Sequence, residues 1–342
     1  MQAVVYRTAR HLEVEARAAR PPGPGELSIA VAYTGICGTD LHIYHGDMDA
    51  RVGAPAVIGH EMSGRVADVG PGVDGWSVGQ AVTVMPTRSC GRCVACRRGS
   101  SHVCHGMDFL GIDSPGAMQS YWTVPAELAL PLPEGVPLDH AALVEPVAVA
   151  VHDVRRAKVT PADQVVVVGA GPVGVLIATV AQLHGARVLL VEPDPFRRAV
   201  AGEIGFAVVD PQVTDPVAVV NEWTDGAGAD IAFEVSGSAG GVATAVDVLT
   251  THGRLVMVAI HAQPRTVDLH RFFWRELELL GARLYRRDDM VEAIRLVAAG
   301  DIPARALISR VMPFASVDAA FAALENGDGV LKVLLDWQAA AR

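Results

Sequence analysis

Residues 164–174, "QVVVVGAGPVG", lead from an apolar strand into a glycine-rich turn. The turn has the spacing G-x-G-x-x-G and contains Gly169, Gly171, Pro172, Val173 and Gly174. In such a turn the first glycine permits a tight bend, the second lets a pyrophosphate approach the backbone, and the third lets a helix pack on the strand. Free N–H groups at the helix N-terminus then bind phosphate oxygens. We therefore expect these five residues to bind a dinucleotide.

The next predicted strand ends in an acidic residue. "GARVLLVEPDPFRR" places Glu192 where a carboxylate accepts hydrogen bonds from a ribose 2′-hydroxyl and repels a 2′-phosphate. Arg197 and Arg198 lie nearby, and arginine is the residue that holds this phosphate in NADP enzymes. Pro193, and not a small glycine or serine, follows the acid, so no space is opened for a phosphate. The stretch predicts NAD as the cofactor.

Apolar strands and helical patterns alternate beyond the glycine turn. "ADIAFEVSG", "GRLVMVAI" and "LELLGARL" are predicted strands, and "GVATAVDVLTT" is a predicted helix between the first two. This alternation is typical of an α/β fold with a parallel, doubly wound sheet.

Composition limits the possible partners. The 342 residues are 51% hydrophobic and 19% charged, which predicts a globular chain of two domains. A formal net charge of −10 without a long basic run argues against nucleic acid and anionic membranes as partners. The apolar stretch "VVVVGAGPVGVLIATVA" is shorter than the roughly 20 residues of a membrane span. The N-terminus has no apolar signal region and the cysteine count of five is odd, so we expect a cytoplasmic location.

Four of the five cysteines lie in the segment "CGRCVACRRGSSHVC". They are Cys90, Cys93, Cys96 and Cys104, in the spacing C-x2-C-x2-C-x7-C. Four thiolates suit a tetrahedral Zn²⁺, and a site closed by four cysteines is structural because it leaves no open position. Two surface disulfides, or an iron–sulfur cluster with its similar spacing, are the alternatives.

The fifth cysteine, Cys37, follows the alternating strand "LSIAVAYTGIC". About twenty residues later, "VIGHEMSG" contains His60 and Glu61. Sulfur, imidazole nitrogen and carboxylate oxygen together form a three-ligand set for a catalytic zinc that keeps one position open. A buried structural cysteine and an ion-paired glutamate would give the same sequence.

Five motifs in this order resemble, almost from end to end, the zinc-dependent medium-chain dehydrogenases: "CGTDLH", "GHEMSG", the four-cysteine segment, "VEPVAVAVH" and "VVVVGAGPVG". The resemblance implies a GroES-like β-barrel catalytic domain (residues 1–150 and 285–342) and a Rossmann domain (residues 151–284). The active site would lie in the cleft between them. The resemblance also identifies residues 90–104 as the structural zinc lobe, in place of an iron–sulfur site.

The resemblance further implies roles for single residues. Cys37, His60 and Glu61 become ligands of a catalytic zinc, and Glu145 becomes a nearby carboxylate that contacts zinc-bound water or ligates the metal itself. Asp40 would orient His60. The substrate's proton would leave through Thr39 and His42. The same resemblance places Arg197 over the adenine and ribose of NAD.

The substrate is predicted only from the resemblance to particular branches of the family. Because no sixth cysteine replaces Glu145, the chain resembles the polyol branch of the family. "EPVAVAVHDVRRAKV" is similar to sorbitol and 2,3-butanediol dehydrogenases, whereas "FLGIDSPGAMQSYWTVPA" is similar to L-threonine 3-dehydrogenases. We expect oxidation of a secondary alcohol in a polyol, sugar alcohol or vicinal diol by NAD, with L-threonine as the alternative. The alternative from another functional class is a protein of the same fold that binds NAD without catalysing a reaction. By analogy with the family, a tetramer or dimer is expected.

Overall fold

A computed structural model of the chain describes residues 1–261, 263–327 and 329–338. The chain forms two compact units. The first contains residues 1–145 and 286–342, and the second contains residues 146–285.

The N-terminal part of the first unit is built mainly from strands, with four short helices. The strands are β1 (Gln2–Thr8), β2 (His11–Ala16), β3 (Glu26–Gly35), β4 (Ala56–Val57), β5 (Glu61–Val69), β6 (Ala81–Val84), β7 (Thr87–Arg88), β8 (Asp108–Phe109), β9 (Tyr121–Pro125) and β10 (Ala129–Pro131). The helices are α1 (Gly38–His45), α2 (Asp49–Val52), α3 (Val94–Arg97) and α4 (Leu138–Ala141). Short 3-10 turns occur at Ser101–Val103 and Ala126–Leu128.

In the second unit strands and helices alternate, after one helix that enters it. The helices are α5 (Val144–Ala157), α6 (Pro172–Leu183), α7 (Pro195–Ile204), α8 (Pro216–Trp223), α9 (Ala239–Asp247) and α10 (Leu269–Arg275). The strands are β11 (Gln164–Val168), β12 (Arg187–Val191), β13 (Ala207–Val209), β14 (Ala229–Glu234), β15 (Leu249–Met257) and β16 (Glu278–Gly281).

The six strands of the second unit form one parallel sheet in the order β13-β12-β11-β14-β15-β16. The order reverses at β11, so β11 and β14 flank the switch point at which doubly wound sheets bind ligands. Four consecutive valines of β11 are almost completely buried, as expected for a strand covered by helices on both faces. The α/β prediction with a Rossmann-type parallel sheet is confirmed.

The chain then returns to the first unit. This last segment contains α11 (Arg287–Ala299), α12 (Ala304–Leu307), β17 (Ile308–Pro313), a 3-10 turn (Phe314–Ser316), α13 (Val317–Asn326) and β18 (Lys332–Asp336). β18 pairs with β3, and the resulting seven-stranded sheet has the order β10-β6-β5-β3-β18-β17, with β9 also pairing with β3. The C-terminal segment thus supplies two strands, β17 and β18, to the main sheet of the first unit.

The division between the units falls at Glu145 and Pro146, five residues before the expected position, and again at Tyr285 and Arg286. The first division lies inside α5, so one continuous helix carries the chain from one unit into the other. A helix gives no turn signal at such a point. Among the described residues, no helix has both the length and the apolar character that a membrane span requires.

Candidate active site and metal centres

The structure brings Cys37, His60 and Glu61 together in the first unit. Their ligand atoms all lie within 4.8 Å of one another. Cys37 is the N-cap of α1, and Glu61 begins β5, where it is the register partner of Gly35 at the end of β3. The antiparallel β3–β5 pair therefore brings two distant motifs to one place. His60 and Glu61 are almost completely buried.

Asp40 supports His60 from the same helix that Cys37 caps. Its Oδ2 accepts a hydrogen bond from the Cys37 backbone N–H at 2.9 Å, and its Oδ1 lies 3.8 Å from His60 Nδ1. Neither Asp40 Oδ1 nor His60 Nδ1 has a hydrogen-bond partner within the described part of the chain. Since Nδ1 faces the carboxylate, Nε2 is left for the ligand set, which is the usual arrangement of a metal-binding histidine.

The charges around His60 fit a cation. Burial opposes a charge on the ring, but Asp40, Cys37 and Glu145 outweigh it and raise the pKa of His60 well above its ordinary value. Several anionic groups in a buried place are unfavourable unless a positive charge compensates them. Together with the Cys, His and Glu ligand types, this electrostatic environment fits a Zn²⁺.

Lys332 is a residue that the sequence analysis missed. Its ammonium group donates hydrogen bonds to Glu61 Oε1 at 2.8 Å, to Glu61 Oε2 at 2.7 Å and to the Ile36 carbonyl at 3.1 Å. Burial acts against its charge, yet Glu61, Cys37 and Glu145 raise the pKa of Lys332 above its ordinary value. The sequence feature that could have indicated a buried, ion-paired lysine is its position inside the apolar run "GVLKVLLDW".

Gly35 makes this ion pair possible. A Cβ atom at Gly35 would lie 2.1 Å from Glu61 Oε2, so any larger residue would displace the carboxylate. The ion pair and the grouping with possible metal ligands, which the sequence presented as alternatives, occur together: Glu61 contacts Lys332 and also lies beside the Cys37–His60 pair.

The remaining predicted residues of the site lie on α1 and α5. Thr39 and His42 are one turn apart on α1, and His42 Nδ1 lies 3.1 Å from Asp47 Oδ2 just beyond the helix. Glu145 is buried in the first turn of α5. Among the described residues, Glu145 is outside the group whose ligand atoms lie within 4.8 Å of one another, although its charge acts on His60 and Lys332.

Four further ligand atoms meet in the cysteine segment. The sulfur atoms of Cys90, Cys93, Cys96 and Cys104 lie within 4.8 Å of one another. Cys93 Sγ is 3.5 Å from Cys96 Sγ and 3.8 Å from Cys104 Sγ, whereas a disulfide would need about 2.05 Å. Tetrahedral bonds of about 2.3 Å to zinc would separate two sulfurs by about 3.8 Å. These spacings fit one zinc ion and exclude disulfides between these pairs.

The pKa values of the thiols in this lobe also favour binding of a cation. Backbone N–H groups of Cys96 and His105 lower the pKa of Cys93 to about 5, which gives the thiolate that binds metals. Burial and the neighbouring thiols raise the pKa of Cys96 to about 11. A second and third negative charge are unfavourable here unless a cation neutralises them, so the lobe fits Zn²⁺.

In the second unit the glycine turn has the geometry of a phosphate-binding loop. Gly169 has φ +111°, and a Cβ at Gly174 would lie 1.9 Å from the Gly169 carbonyl oxygen, so both positions require glycine. Gly171 is the N-cap of α6 and Pro172 is its first residue. Proline has no N–H, so the free donors of this first turn come from Val173 and Gly174.

Glu192 lies beside this loop. Its Oε2 accepts a hydrogen bond from Ala170 N–H at 2.6 Å, and its Oε1 accepts one from Asp194 N–H at 2.9 Å. The guanidinium of Arg197 approaches Gly171, with Nη1 3.8 Å from the position of a Cβ there. Arg198 turns away and bonds to the Glu192 carbonyl at 3.1 Å and to Asp210 at 2.7 Å.

Comparison with known families agrees with this fold. Residues 23–134 match the alcohol dehydrogenase GroES-like domain, and residues 172–299 match the zinc-binding dehydrogenase domain. The chain belongs to the family of zinc-binding alcohol dehydrogenases of the medium-chain type. The predicted resemblance and the GroES-like plus Rossmann fold class are thereby confirmed.

Individual relatives within this family are named for different substrates. The chain is 48% identical over 318 residues to a 2-dehydro-3-deoxy-L-galactonate 5-dehydrogenase of Pseudoalteromonas atlantica, covering 93% of each chain. It is 38% identical over 253 residues to an L-threonine 3-dehydrogenase of Pyrococcus horikoshii, covering 73% of this chain and 72% of that one. The crystal structure of 2R,3R-butanediol dehydrogenase from Bacillus subtilis superimposes with a TM-score of 0.91 at 31% identity, covering 98% and 99%.

These comparisons confirm the prediction of an enzyme, a zinc- and nicotinamide-dependent oxidoreductase of secondary alcohols. L-threonine is the less favoured substrate within this class, because the threonine relative is less similar and matches a shorter part of the chain. The alternative of a non-catalytic protein receives no support.

Proposed function

We propose that the chain oxidises a secondary hydroxyl group of a polyhydroxylated substrate, a sugar acid or polyol, with NAD. The observation that carries this proposal is the Cys37, His60 and Glu61 set, whose ligand atoms lie within 4.8 Å of one another. The relative at 48% identity supports a sugar acid, because it is named for a 5-dehydrogenase of a 3-deoxy sugar acid. The butanediol dehydrogenase neighbour supports oxidation next to a second oxygen.

In this proposal the residues divide the work. Cys37, His60 and Glu61 hold a catalytic Zn²⁺ with Glu145 as an additional carboxylate, and the four lobe cysteines hold a structural Zn²⁺. When bound, the catalytic zinc supplies a Lewis acid that lowers the pKa of the substrate's hydroxyl group. NAD supplies the hydride acceptor. Lys332 balances part of the negative charge by sharing Glu61 with the metal.

The proton of the substrate's hydroxyl group leaves through α1. The Thr39 hydroxyl accepts it while donating its own proton to His42, because a hydroxyl both donates and accepts. Asp47, at 3.1 Å from His42 Nδ1, orients the ring so that Nε2 is the accepting nitrogen. The exposed position of Asp47 then allows the proton to pass to water.

Three observations support NAD over NADP. Glu192 is 3% exposed and bonded to the glycine turn, so its charge lies where a 2′-phosphate would have to fit. Arg198 is engaged by Asp210 and by carbonyl groups, so of these two arginines it is Arg197 that approaches the loop. Glu192 is also held by Asp194 N–H, so it does not turn aside easily.

We propose a homo-oligomer, a tetramer or dimer, in the cytoplasm. Helix α10 exposes Leu269, Phe273 and Trp274 by 74%, 77% and 74%. Apolar surface of this size on one helix is typical of an interaction site, which supports self-association. All five cysteines are free thiols, which supports a reducing compartment.

A substrate panel tests the function. The purified enzyme is offered 2-dehydro-3-deoxy-L-galactonate, sorbitol, 2,3-butanediol and L-threonine, each with NAD and with NADP. We expect a sugar acid or polyol to exceed L-threonine in kcat/KM by at least about tenfold, which corresponds to roughly 1.4 kcal/mol. We expect NAD to exceed NADP by at least about tenfold for the same reason.

L-threonine as the best substrate would contradict the proposed substrate class. Equal or better turnover with NADP would show that Arg197 outweighs the charge of Glu192. No turnover of any alcohol by a zinc-loaded enzyme would contradict the catalytic assignment itself.

A further inference from the structure

A buried glutamate at the end of β14 belongs to a network that the catalytic proposal does not use. The side chain of Glu234 is fully buried. Its Oε1 accepts hydrogen bonds from Ser236 N–H at 2.9 Å, from Gly237 N–H at 3.0 Å and from the Ser236 hydroxyl. Its Oε2 lies 3.0 Å from His261 Nε2. Burying a carboxylate is costly, and here four donors compensate for it.

The network continues outwards to an arginine. Arg265 Nε donates to His261 Nδ1 at 3.3 Å, and Arg265 Nη2 donates to the Gly237 carbonyl at 3.1 Å. A guanidinium has donors and no acceptor, so Nδ1 is the accepting nitrogen of the ring. Nε2 therefore carries the hydrogen and donates it to Glu234. This assignment follows from the partners on both sides of the imidazole.

The network joins two turns of the sheet. Glu234 is the last residue of β14, Gly237 belongs to the turn that follows it, and His261 belongs to the segment after β15. The backbone adds to this connection, because the N–H groups of Val258 and Ala259 both donate to the Glu234 carbonyl at 3.1 Å. A fully satisfied polar network fixes one geometry more tightly than apolar packing does.

These turns lie at the carboxyl edge of the parallel sheet, next to the glycine turn. Glu234 is the register partner of Val168, and a Cβ at Gly169 would lie 3.1 Å from Ser236 N. A doubly wound sheet binds a dinucleotide across this edge, one mononucleotide on each half. Because Glu192 directly follows β12, the adenosine half lies over β12 and β13. The nicotinamide half then lies over β14 and β15.

We propose that the Glu234–His261–Arg265 network holds the turns after β14 and β15 in the shape that receives the nicotinamide half of the cofactor. His261 and Arg265 are then positioning residues for that half and leave the adenosine half unaffected. The inference rests on the proposed binding of a nicotinamide dinucleotide and is independent of the alcohol that is oxidised.

Binding measurements without catalysis test this. NADH is titrated into the full-length enzyme by fluorescence, and ADP, which carries only the adenosine and pyrophosphate part, is titrated by calorimetry. His261→Leu keeps much of the ring's volume and removes both hydrogen bonds. His261→Gln keeps one donor and one acceptor on a planar amide. His252→Asn is the matched control, because it breaks an exposed His–Glu pair (His252 with Glu276, 3.6 Å) in the same unit.

We expect His261→Leu to weaken NADH binding by at least about tenfold, since it leaves a buried carboxylate without one of its donors. ADP should bind within about twofold of wild type. His261→Gln should stay within about threefold for both ligands, and His252→Asn should change neither. If wild-type enzyme does not bind NADH, the proposed function fails. If wild type binds NADH and His261→Leu binds it equally well, or loses NADH and ADP equally, the inference fails.

Arg265→Ala provides a second test in case the leucine variant does not fold, because Arg265 is exposed. Loss of its two bonds should weaken NADH binding by about threefold and leave ADP binding unchanged. An unchanged affinity for NADH would overturn the role of the network at this position.

Discussion

Glu61 can interact with two partners, the Lys332 ammonium group and a metal ion held with Cys37 and His60. Both of its oxygens accept hydrogen bonds from Lys332, and Lys332 uses its remaining donor on the Ile36 carbonyl. Glu61 also lies within 4.8 Å of the Cys37 and His60 ligand atoms. Any bond from Glu61 to a metal therefore competes with a buried ion pair. We infer that Lys332 keeps Glu61 from binding the metal as tightly as a carboxylate otherwise would.

Removal of the Lys332 ammonium group should lower the free energy of unfolding. Lys332→Met leaves the Glu61 carboxylate buried without its main donor, and breaking a buried pair in this way typically costs about 3–5 kcal/mol. We expect the free energy of unfolding in urea to fall by about that amount. Arg305→Met, an exposed cation on α12, is the control and should change it by less than about 0.5 kcal/mol. A loss of under about 1 kcal/mol for Lys332→Met would show that Glu61 finds full compensation elsewhere.

At the level of elements, α1 is held from both ends. At its N-terminus the Asp40 carboxylate accepts a hydrogen bond from the backbone N–H of Cys37, the N-cap residue. Near its C-terminus His45 bonds to Glu325 on α13, and Tyr44 packs against Phe321 of the same helix with ring centroids 5.1 Å apart. Because Thr39 and His42 lie between these two anchors, the C-terminal helix helps to position the proposed proton route.

The contact between α1 and α13 should depend on pH. The hydrogen bond from His45, supported by the charge of Arg10, lowers the pKa of Glu325 below its ordinary value of 4.5. The stabilisation is therefore complete above that ordinary value and disappears as the pH falls through the lower folded value. Glu325→Gln should reduce stability at pH 7 by up to about 1 kcal/mol, since the pair is partly exposed. Its difference from wild type should shrink on acidification below pH 4.5.

Thermal unfolding of both proteins between pH 7 and about pH 3 measures this difference. Glu292→Gln is the control, because Glu292 pairs with Arg295 on the same helix and joins no two elements. The control should stay within about 0.5 kcal/mol of wild type throughout. A Glu325→Gln difference that grows on acidification would have the wrong sign for this account.

At the scale of the whole molecule, the sequence predicted those sites whose residues lie close together along the chain. The G-x-G-x-x-G turn, the four cysteines and the His60–Glu61 pair each lie within one local segment, whose chemistry can be recognised without the fold. Lys332 is different, because it meets Glu61 across 271 residues through the pairing of β18 with β3. The bond between Glu234 and His261 likewise depends on two strands lying side by side in the sheet. Such contacts follow from strand order and register, which single-sequence patterns do not contain.

The metal content tests the two centres together. Both ligand sets lie in the first unit, and the described residues of the second unit contain no comparable group. We expect two zinc ions per chain by elemental analysis of carefully prepared wild-type protein, and one in each of the variants Cys37→Ser and Cys93→Ser.

The two variants should differ in what else they lose. The lobe around Cys93 consists of one four-residue helix, two-residue strands and a 3-10 turn, so little besides the metal holds it. Cys93→Ser should therefore lower the melting temperature clearly. Cys37→Ser, which lies beside the seven-stranded sheet of the same unit, should abolish alcohol oxidation and leave the circular dichroism spectrum unchanged. Ser101→Ala, on the surface of the same lobe, is the control and should keep both zinc ions. Iron in the four-cysteine site, or a single zinc in wild type, would contradict the assignment of two separate zinc centres.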